Sequence, residues 1–137
     1  MDLEQNQIFL LIEKALSAQK LAHCPFSNHP VGAAVLTDSD AIVIGTNIET
    51  STSNLGICAE RMALFTAFMH GNKKIKALAV VTQDGHAPCG VCRQVIYQLC
   101  CDIPIIIAKQ DKTYTISSTI QLLPLPFDLR ICGSSIE

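Results

Sequence analysis

Charged residues are scarce in this sequence, and the basic ones form no long block. Asp, Glu, Lys and Arg make up 16% of the 137 residues, against roughly 25% in an average soluble chain. The densest basic group is Lys73, Lys74 and Lys76, whereas tight binding to a polynucleotide needs several cations that neutralise phosphates. The sequence therefore argues against a polynucleotide partner. Low charge also leaves more apolar surface to cover, which favours assembly into an oligomer.

Targeting and membrane signals are absent as well. No apolar run reaches the length of a membrane-spanning helix, which takes about 20 residues. The first residues are acidic and lack the basic segment of a secretory signal peptide. We find no repeat, no low-complexity segment and no internal domain boundary. We therefore expect a single domain over residues 1–137, located in the cytoplasm and without a membrane partner.

Cysteine, in contrast, is plentiful, with seven residues in the chain. Cys89 and Cys92 are three positions apart, so both sulfurs can reach one ion from the first turn of a helix. Cys58 would reach the same ion from a second element. Three thiolates with one open position are typical of a catalytic zinc site, whereas a structural zinc ion normally takes four protein ligands. The sequence predicts one Zn²⁺ per chain, bound by Cys58, Cys89 and Cys92.

Glu60 gives this cluster its catalytic interpretation. It lies two residues beyond Cys58, where it cannot occupy the same point of the coordination sphere but can handle protons for a water molecule at the open position. Cys-x-Glu followed at a distance by Pro-Cys-x-x-Cys is the signature of zinc-dependent nucleobase deaminases. The alternatives are buried thiols or a zinc-stabilised module without catalysis. They leave Glu60 unexplained, and no fourth Cys or His stands at ligand spacing.

Two arginines stand next to these motifs. Zinc with three thiolates is a poor Lewis acid unless the sulfur charge is offset, and Arg61 and Arg93 are the residues able to do so. Arg93 has the alternative of holding an interface. The remaining cysteines are expected to be buried thiols in a reducing compartment. They are Cys24, Cys100, Cys101 and Cys132.

Apolar spacing and turn residues divide the chain into helices and strands. Helices are predicted over residues 3–21, 57–70 and 89–100. A further short helix would be capped by Ser118 or Thr119 and end at Leu123. Strands are predicted over residues 31–36, 41–46, 75–82, 103–108 and 113–117. The first two strands form an antiparallel hairpin. We expect an α/β fold, a three-layer α/β/α sandwich around a mixed sheet of about five strands.

Asn47 and Glu49 follow the second predicted strand. Residues two apart in a strand point to the same side, so this amide and this carboxylate could together grip a sugar hydroxyl. The competing interpretation is a pair of ordinary polar residues at a strand end. His23, His70 and His86 are interpreted as surface or turn residues.

Several segments together resemble the small homotetrameric cytidine deaminases. They are residues 24–27, 30–34, 47–49, 56–61 and 88–94. The resemblance implies a cytidine deaminase-like fold, and a homotetramer with active sites at subunit junctions. It also implies hydrolytic deamination of cytidine and deoxycytidine in pyrimidine salvage. In that reaction Glu60 takes a proton from the zinc-activated water and passes it to N3 of the base, then to the departing amine.

The resemblance also implies roles for individual residues. Arg61 would hydrogen-bond to the zinc thiolates, the Ala59 N–H would bind the base carbonyl, and carbonyl groups near Ala87 would bind the amine. Asn47 and Glu49 would bind the 3′-hydroxyl of a free nucleoside, a contact that a 3′-linked polynucleotide would lose.

An aromatic ring at Phe127 would cover the base in a neighbouring subunit's site, where stacking is worth about 1–3 kcal/mol. Plain packing is the alternative for Phe127.

Two departures from the family affect selectivity. His29 stands where the family usually has a Phe that packs on the base; an imidazole can still stack and can also hydrogen-bond, unless it is an ordinary loop histidine. Residues 50–54 differ from the loop that the family places at its subunit junction. We therefore hypothesise a more polar pocket that takes a modified or non-standard nucleoside, as in the blasticidin S deaminases. Asn47 and Glu49 favour cytidine.

Overall fold

Strands and helices follow one another along the chain in the predicted order. A computed structural model describes residues 2–128, and each element begins and ends within two residues of its predicted bounds. The helices are α1 (Gln5–Gln19), α2 (Ala59–Met69), α3 (Gly90–Cys100) and α4 (Thr119–Leu122). The strands are β1 (Gly32–Thr37), β2 (Ile42–Thr46), β3 (Ile75–Thr82), β4 (Pro104–Lys109) and β5 (Tyr114–Ser118). A 3₁₀ turn at Ser53–Leu55 was not predicted.

The strands form one mixed sheet with the order β2-β1-β3-β4-β5. β1 pairs antiparallel with β2, which confirms the predicted hairpin, and antiparallel with β3 on its other side. β3 and β4 are parallel, which requires a crossover connection, and α3 supplies it. β5 returns antiparallel to β4. The predicted mixed sheet of five strands is confirmed.

Helices cover both faces of this sheet. Leu11 of α1 packs with Ala79 on one face, whereas Leu64 of α2 and Ile96 of α3 pack with Val80 on the other. Successive residues of a strand point to opposite faces, so the buried strand β3 supplies both cores. This confirms the predicted three-layer α/β/α arrangement. None of the helices formed by residues 2–128 is long and apolar enough to cross a membrane.

Gly45 lets α2 lie directly against the sheet. A methyl group at this position of β2 would overlap backbone atoms of Ala59 and Ala63 in the first turns of α2. The strand and the helix therefore touch with no side chain between them. This contact fixes the start of α2, which carries Cys58 and Glu60, relative to the end of β2.

The cysteines outside the predicted zinc site differ from one another. Cys24 and Cys100 are free thiols, and burial raises the pKa of Cys100 to about 12, which makes its thiol unreactive. Cys101 is disulfide-bonded, so its prediction as a thiol was wrong, because sequence spacing does not show which sulfurs come into contact. Cys132 lies outside the described residues.

Candidate active site

A cavity of about 610 Å³ opens where α2 begins, and its volume falls within the roughly 300–1,000 Å³ of small-molecule sites. Residues from five parts of the chain line it: the loop before β1, the segment after β2, the start of α2, the strand β3 and the segment leading into α3. The predicted site residues among them are His29, Asn47, Glu49, Cys58, Ala59, Glu60, Arg61, Ala87 and Cys89.

The three predicted metal ligands converge beside this cavity. The Sγ atoms of Cys58, Cys89 and Cys92 lie within 4.8 Å of one another, and those of Cys58 and Cys89 are 3.8 Å apart. Sulfurs bound at 2.3 Å to one tetrahedral ion would be about 3.8 Å apart. Cys58 is the N-cap residue of α2 and Cys89 that of α3, so both sit where helix dipoles favour negative charge. The donor set and its spacing fit one Zn²⁺.

Arg61 contacts this sulfur cluster. Its Nη2 donates a hydrogen bond to Cys58 Sγ at 3.3 Å. The hydrogen bond from the Cys92 thiol, followed by the guanidinium of Arg61, lowers the pKa of the Cys58 thiol against the opposing effect of burial. Burial also acts against the charge of Arg61, but its hydrogen bonds to Cys58 and Cys92 outweigh burial and raise the pKa of Arg61. The guanidinium therefore stabilises thiolate at this cluster.

Glu60 lies in the first turn of α2, with only 4% of its surface exposed. Burial is the largest effect on this carboxyl and raises the pKa of Glu60 to about 7, with a further contribution from negative charge on Cys58. A buried carboxyl that borders the cavity beside the thiol cluster is suited to take up and release protons near neutral pH.

The structure places Asn47 against the backbone of the loop before β1. Asn47 Oδ1 accepts a hydrogen bond from the Val31 N–H, and Nδ2 donates one to the His29 carbonyl, both at 2.9 Å. Asn47 is buried and borders the cavity. Its amide therefore holds both sides of Pro30, a function that the sequence did not suggest.

Glu49 holds an earlier part of the same loop. Its Oε1 accepts hydrogen bonds from the N–H groups of Phe26 at 3.0 Å and Ser27 at 3.1 Å. Hydrogen bonds from the side chain and backbone of Ser27, and then from Phe26, hold the pKa of Glu49 below its usual range. Glu49 is therefore ionised at neutral pH, and it borders the cavity.

His29 meets a second histidine that sequence reasoning had treated as a turn residue. The ring of His29 lies 5.5 Å from that of His86, tilted by 56°, and both line the cavity. His86 is three residues before Cys89. A polar residue so close to a predicted ligand was the signal that could have identified it.

Arg93 contacts backbone carbonyl groups, and Phe127 lies outside the cavity of its own chain. Arg93 donates to the carbonyl groups of Pro88 at 2.7 Å and Leu122 at 2.8 Å. It does not contact a thiolate, because its guanidinium points towards α4 instead. The ring of Phe127 is 66% exposed and outside the cavity of its own chain, while its carbonyl accepts from Gln94 Nε2 at 2.8 Å.

Residues 5–108 match the family described as cytidine and deoxycytidylate deaminase zinc-binding region. The chain belongs to this family. A probable cytidine deaminase from Dictyostelium discoideum is 38% identical over 125 residues, which cover 89% of this chain and 84% of that protein. A blasticidin-S deaminase from Bacillus cereus is 28% identical over 112 residues, 74% of this chain and 79% of that protein.

A solved structure agrees with the sequence relatives. The crystal structure of cytidine deaminase from Burkholderia pseudomallei superposes with a TM-score of 0.84 at 36% identity, covering 87% of this chain and 98% of that one. Membership in the deaminase family confirms that the chain is an enzyme. It also supports one Zn²⁺ per chain at Cys58, Cys89 and Cys92, the group of potential ligands found within residues 2–128.

Proposed function

We propose that the protein is a zinc-dependent cytidine and deoxycytidine deaminase. It would convert these nucleosides into uridine and deoxyuridine with release of ammonia, in pyrimidine salvage in the cytoplasm. The observation that carries the proposal is the position of Glu60, a buried carboxyl that borders the same cavity as the three-sulfur cluster. A structural zinc site has no need of such a carboxyl.

Glu60 moves the protons in the proposed reaction. When bound, zinc supplies Lewis-acid chemistry that makes water acidic near neutral pH. Glu60 takes a proton from the attacking water and delivers it to N3 of the base while oxygen adds to C4. It then takes the remaining proton from the C4 hydroxyl group and passes it to the amino group, so the C4–N bond breaks as the C4 carbonyl forms, and ammonia leaves. A positioned acid/base group of this kind contributes about 10²- to 10⁴-fold to the rate.

The other lining residues orient the nucleoside. The Ala59 N–H at the start of α2 binds the base carbonyl, and carbonyl groups near Ala87 bind the amine. Asn47 and Glu49 bind the 3′-hydroxyl of the sugar, and their place in the lining of the cavity supports this role. A free nucleoside is therefore the substrate, and a polynucleotide is not.

We further propose a homotetramer, formed by one domain over residues 1–137, with sites at the subunit junctions. Its support is the exposure of large apolar side chains on a chain with little charge. They include Phe9, Phe65, Met69 and Phe127. An exposed Phe127 ring is available to cover the base in a neighbouring site.

An ultraviolet assay tests the proposed reaction. Zinc-loaded protein is incubated with cytidine and deoxycytidine, and loss of the cytidine absorbance is followed. We expect rapid loss with the wild type and at least about a hundredfold slower loss with Glu60→Gln. Glu13→Gln, a surface carboxylate on α1, is the matched control. Zinc bound at one ion per chain with no turnover of either nucleoside would refute the proposal.

A second candidate is a deaminase for a modified aminated nucleoside, and the paired histidines in the cavity favour it. The likeness to the blasticidin-S deaminase points the same way. Adding blasticidin S to the substrate panel separates the two candidates. Turnover of blasticidin S without turnover of cytidine would establish the second one.

A further inference from the structure

We propose that His29 and His86 form a polar subsite that selects nucleosides with a neutral hydrogen-bonding substituent at C5 of the pyrimidine. The proposal rests on the proposed deaminase function, because it uses the orientation of the base in that reaction. Its substrate class is hydroxyl-bearing 5-substituted cytidines, such as 5-hydroxymethylcytidine.

The two imidazoles reach the cavity from separate segments. Their centroids are 5.5 Å apart and their planes are tilted by 56°, so the rings do not stack face to face. His29 comes from the loop before β1, and His86 from the segment that leads into α3. Each neutral imidazole offers one donor and one acceptor nitrogen. Together they present several hydrogen-bonding groups to one part of the cavity.

The backbone around His29 is held firmly in place. The His29 N–H donates to Ser27 Oγ at 3.1 Å, and its carbonyl accepts from Asn47 Nδ2 at 2.9 Å. The carbonyl of Pro30 accepts from Gln19 Nε2 at 3.1 Å. These hydrogen bonds hold the backbone from which the His29 ring projects, so the ring is presented from a preorganised position.

His86 is fixed by a turn at the end of β3. Thr82 Oγ1 accepts hydrogen bonds from the N–H groups of Gly85 at 2.9 Å and His86 at 2.7 Å. Gly85 has a φ of +79°, which glycine adopts readily. His86 Nε2 lies 3.8 Å from Asp84 Oδ2. The other ring nitrogen, Nδ1, has no hydrogen bond within residues 2–128 and remains available to a ligand.

The proposed reaction places C5 of the base near this pair. Glu60 delivers a proton to N3, so the N3 edge of the ring faces α2. C5 lies on the opposite side of C4 from N3, so the C5 edge faces away from α2. With C4 at the sulfur cluster, that edge points towards the segment that enters α3 at Cys89. His86 lies in this segment, three residues earlier.

The charges around the cavity determine which substituent fits. Glu49 and Glu60 line the cavity, and Asp84 lies beside His86. These carboxyl groups disfavour an anionic substituent by repulsion. A methyl group would leave the imidazole nitrogens without a partner. A neutral hydroxyl group can both donate to and accept from an imidazole, so it satisfies the site.

The test compares two substrates that differ by one oxygen atom. The ratio of kcat/KM for 5-hydroxymethylcytidine to that for 5-methylcytidine is measured for wild type, His86→Val and His29→Phe. The intrinsic reactivity of each nucleoside is the same in every variant, so a change in the ratio isolates the side chain. We expect the ratio to fall about 3- to 10-fold in either variant, as for loss of one hydrogen bond.

His70→Val, an exposed histidine at the end of α2, is the matched control and should leave the ratio unchanged. An unchanged ratio in both cavity variants, or equal losses on both substrates, would overturn the subsite.

A binding measurement separates this proposal from the proposed function. Both nucleosides are titrated calorimetrically into zinc-loaded Glu60→Gln protein, with and without His86→Val. Tighter binding of the hydroxymethyl compound by about 3- to 10-fold, lost with His86→Val, supports the subsite even if no cytidine is turned over. Equal affinities for the two compounds overturn it even if cytidine deamination is rapid.

Discussion

At the metal end of the cavity the functional side chains contact one another, whereas at the loop end they contact the backbone. The metal end comprises Cys58, Glu60, Arg61, Cys89 and Cys92. These residues begin two helices packed on the sheet, and Arg61 donates directly to the Cys58 sulfur.

The loop end comprises residues 26–31 together with Asn47 and Glu49. Here the two side chains accept from and donate to backbone groups of the loop. The difference separates chemistry from selectivity. In the proposed reaction the reacting groups must meet one another, and they come from the N-termini of two helices. Selectivity would depend on where the loop is held, and Asn47 and Glu49 hold it from the segment after β2.

Removing a sulfur ligand should produce the largest loss of zinc and of turnover, and it should leave the loop end unchanged. Cys92 is completely buried in the cluster. We expect Cys92→Ala to lose zinc and to reduce cytidine turnover by more than about 10³-fold, since the Lewis acid supplies several kcal/mol to the transition state. Zinc content by atomic emission and the ultraviolet assay measure both effects.

Cys100→Ala is the matched control for that variant, because Cys100 is a thiol of the same helix outside the cluster. It should keep one zinc ion per chain. Full zinc content in Cys92→Ala would contradict the assignment of the ligands.

Arg61→Met should have the next largest effect. The thiolates lose their hydrogen-bond donor, and we expect zinc affinity to fall about 10- to 100-fold. Competition with a chelator of known affinity measures this change.

Arg93→Met provides the contrast, because Arg93 donates to backbone carbonyl groups rather than to sulfur. It should lower the free energy of unfolding by about 1–3 kcal/mol and leave zinc affinity unchanged. A larger loss of zinc affinity in Arg93→Met than in Arg61→Met would reverse the roles given to the two arginines.

Asn47→Ala tests whether Asn47 acts by positioning the His29 loop or only by contacting the sugar of the substrate. If Asn47 positions the His29 loop, the variant should weaken binding of a free pyrimidine base as well as a nucleoside, each by about tenfold. A contact made only to the sugar would leave the free base unaffected. Inhibition constants for the two compounds give the answer, with Asn54→Ala, an exposed asparagine outside the cavity, as control.

The smallest effect concerns pH and Glu49. Hydrogen bonds from Ser27 and Phe26 hold the pKa of folded Glu49 below its usual value of 4.5. The carboxylate therefore contributes stability that is fully present above the unfolded pKa and is lost as pH falls through the folded pKa. We expect the melting temperature of the wild type to exceed that of Glu49→Gln at pH 7. The difference between the two melting temperatures should shrink below pH 4.5. A difference in melting temperature that grows as the pH falls would contradict the predicted pH dependence.

Local spacing was enough to find the metal end. Cys-x-Glu and Pro-Cys-x-x-Cys each describe one turn at a helix start, so Cys58, Glu60, Cys89 and Cys92 could be assigned before the fold was known. The buried strand over residues 75–82 also followed from its continuous apolar run. Each of these patterns lies within one element, although the contact between Cys58 and Cys89 joins two helices.

The remaining features depend on contacts between distant elements. The strand order β2-β1-β3-β4-β5 is set by pairing across the whole chain. His86 meets His29 although they are 57 positions apart by residue number. Arg93 has no hydrogen bond to the thiol cluster within residues 2–128, because the residue after Cys92 points about 100° away around the helix, which carries its guanidinium towards Leu122.

The paired backbone groups of the loop before β1 have a consequence for the timing of catalysis. The His29 N–H and carbonyl, the Pro30 carbonyl and the Val31 N–H all have partners within the chain. Opening this loop would break these hydrogen bonds, which is unfavourable. We therefore expect this side of the cavity to act as a fixed frame rather than a gate, so that the residence time of a bound nucleoside would depend on its own contacts.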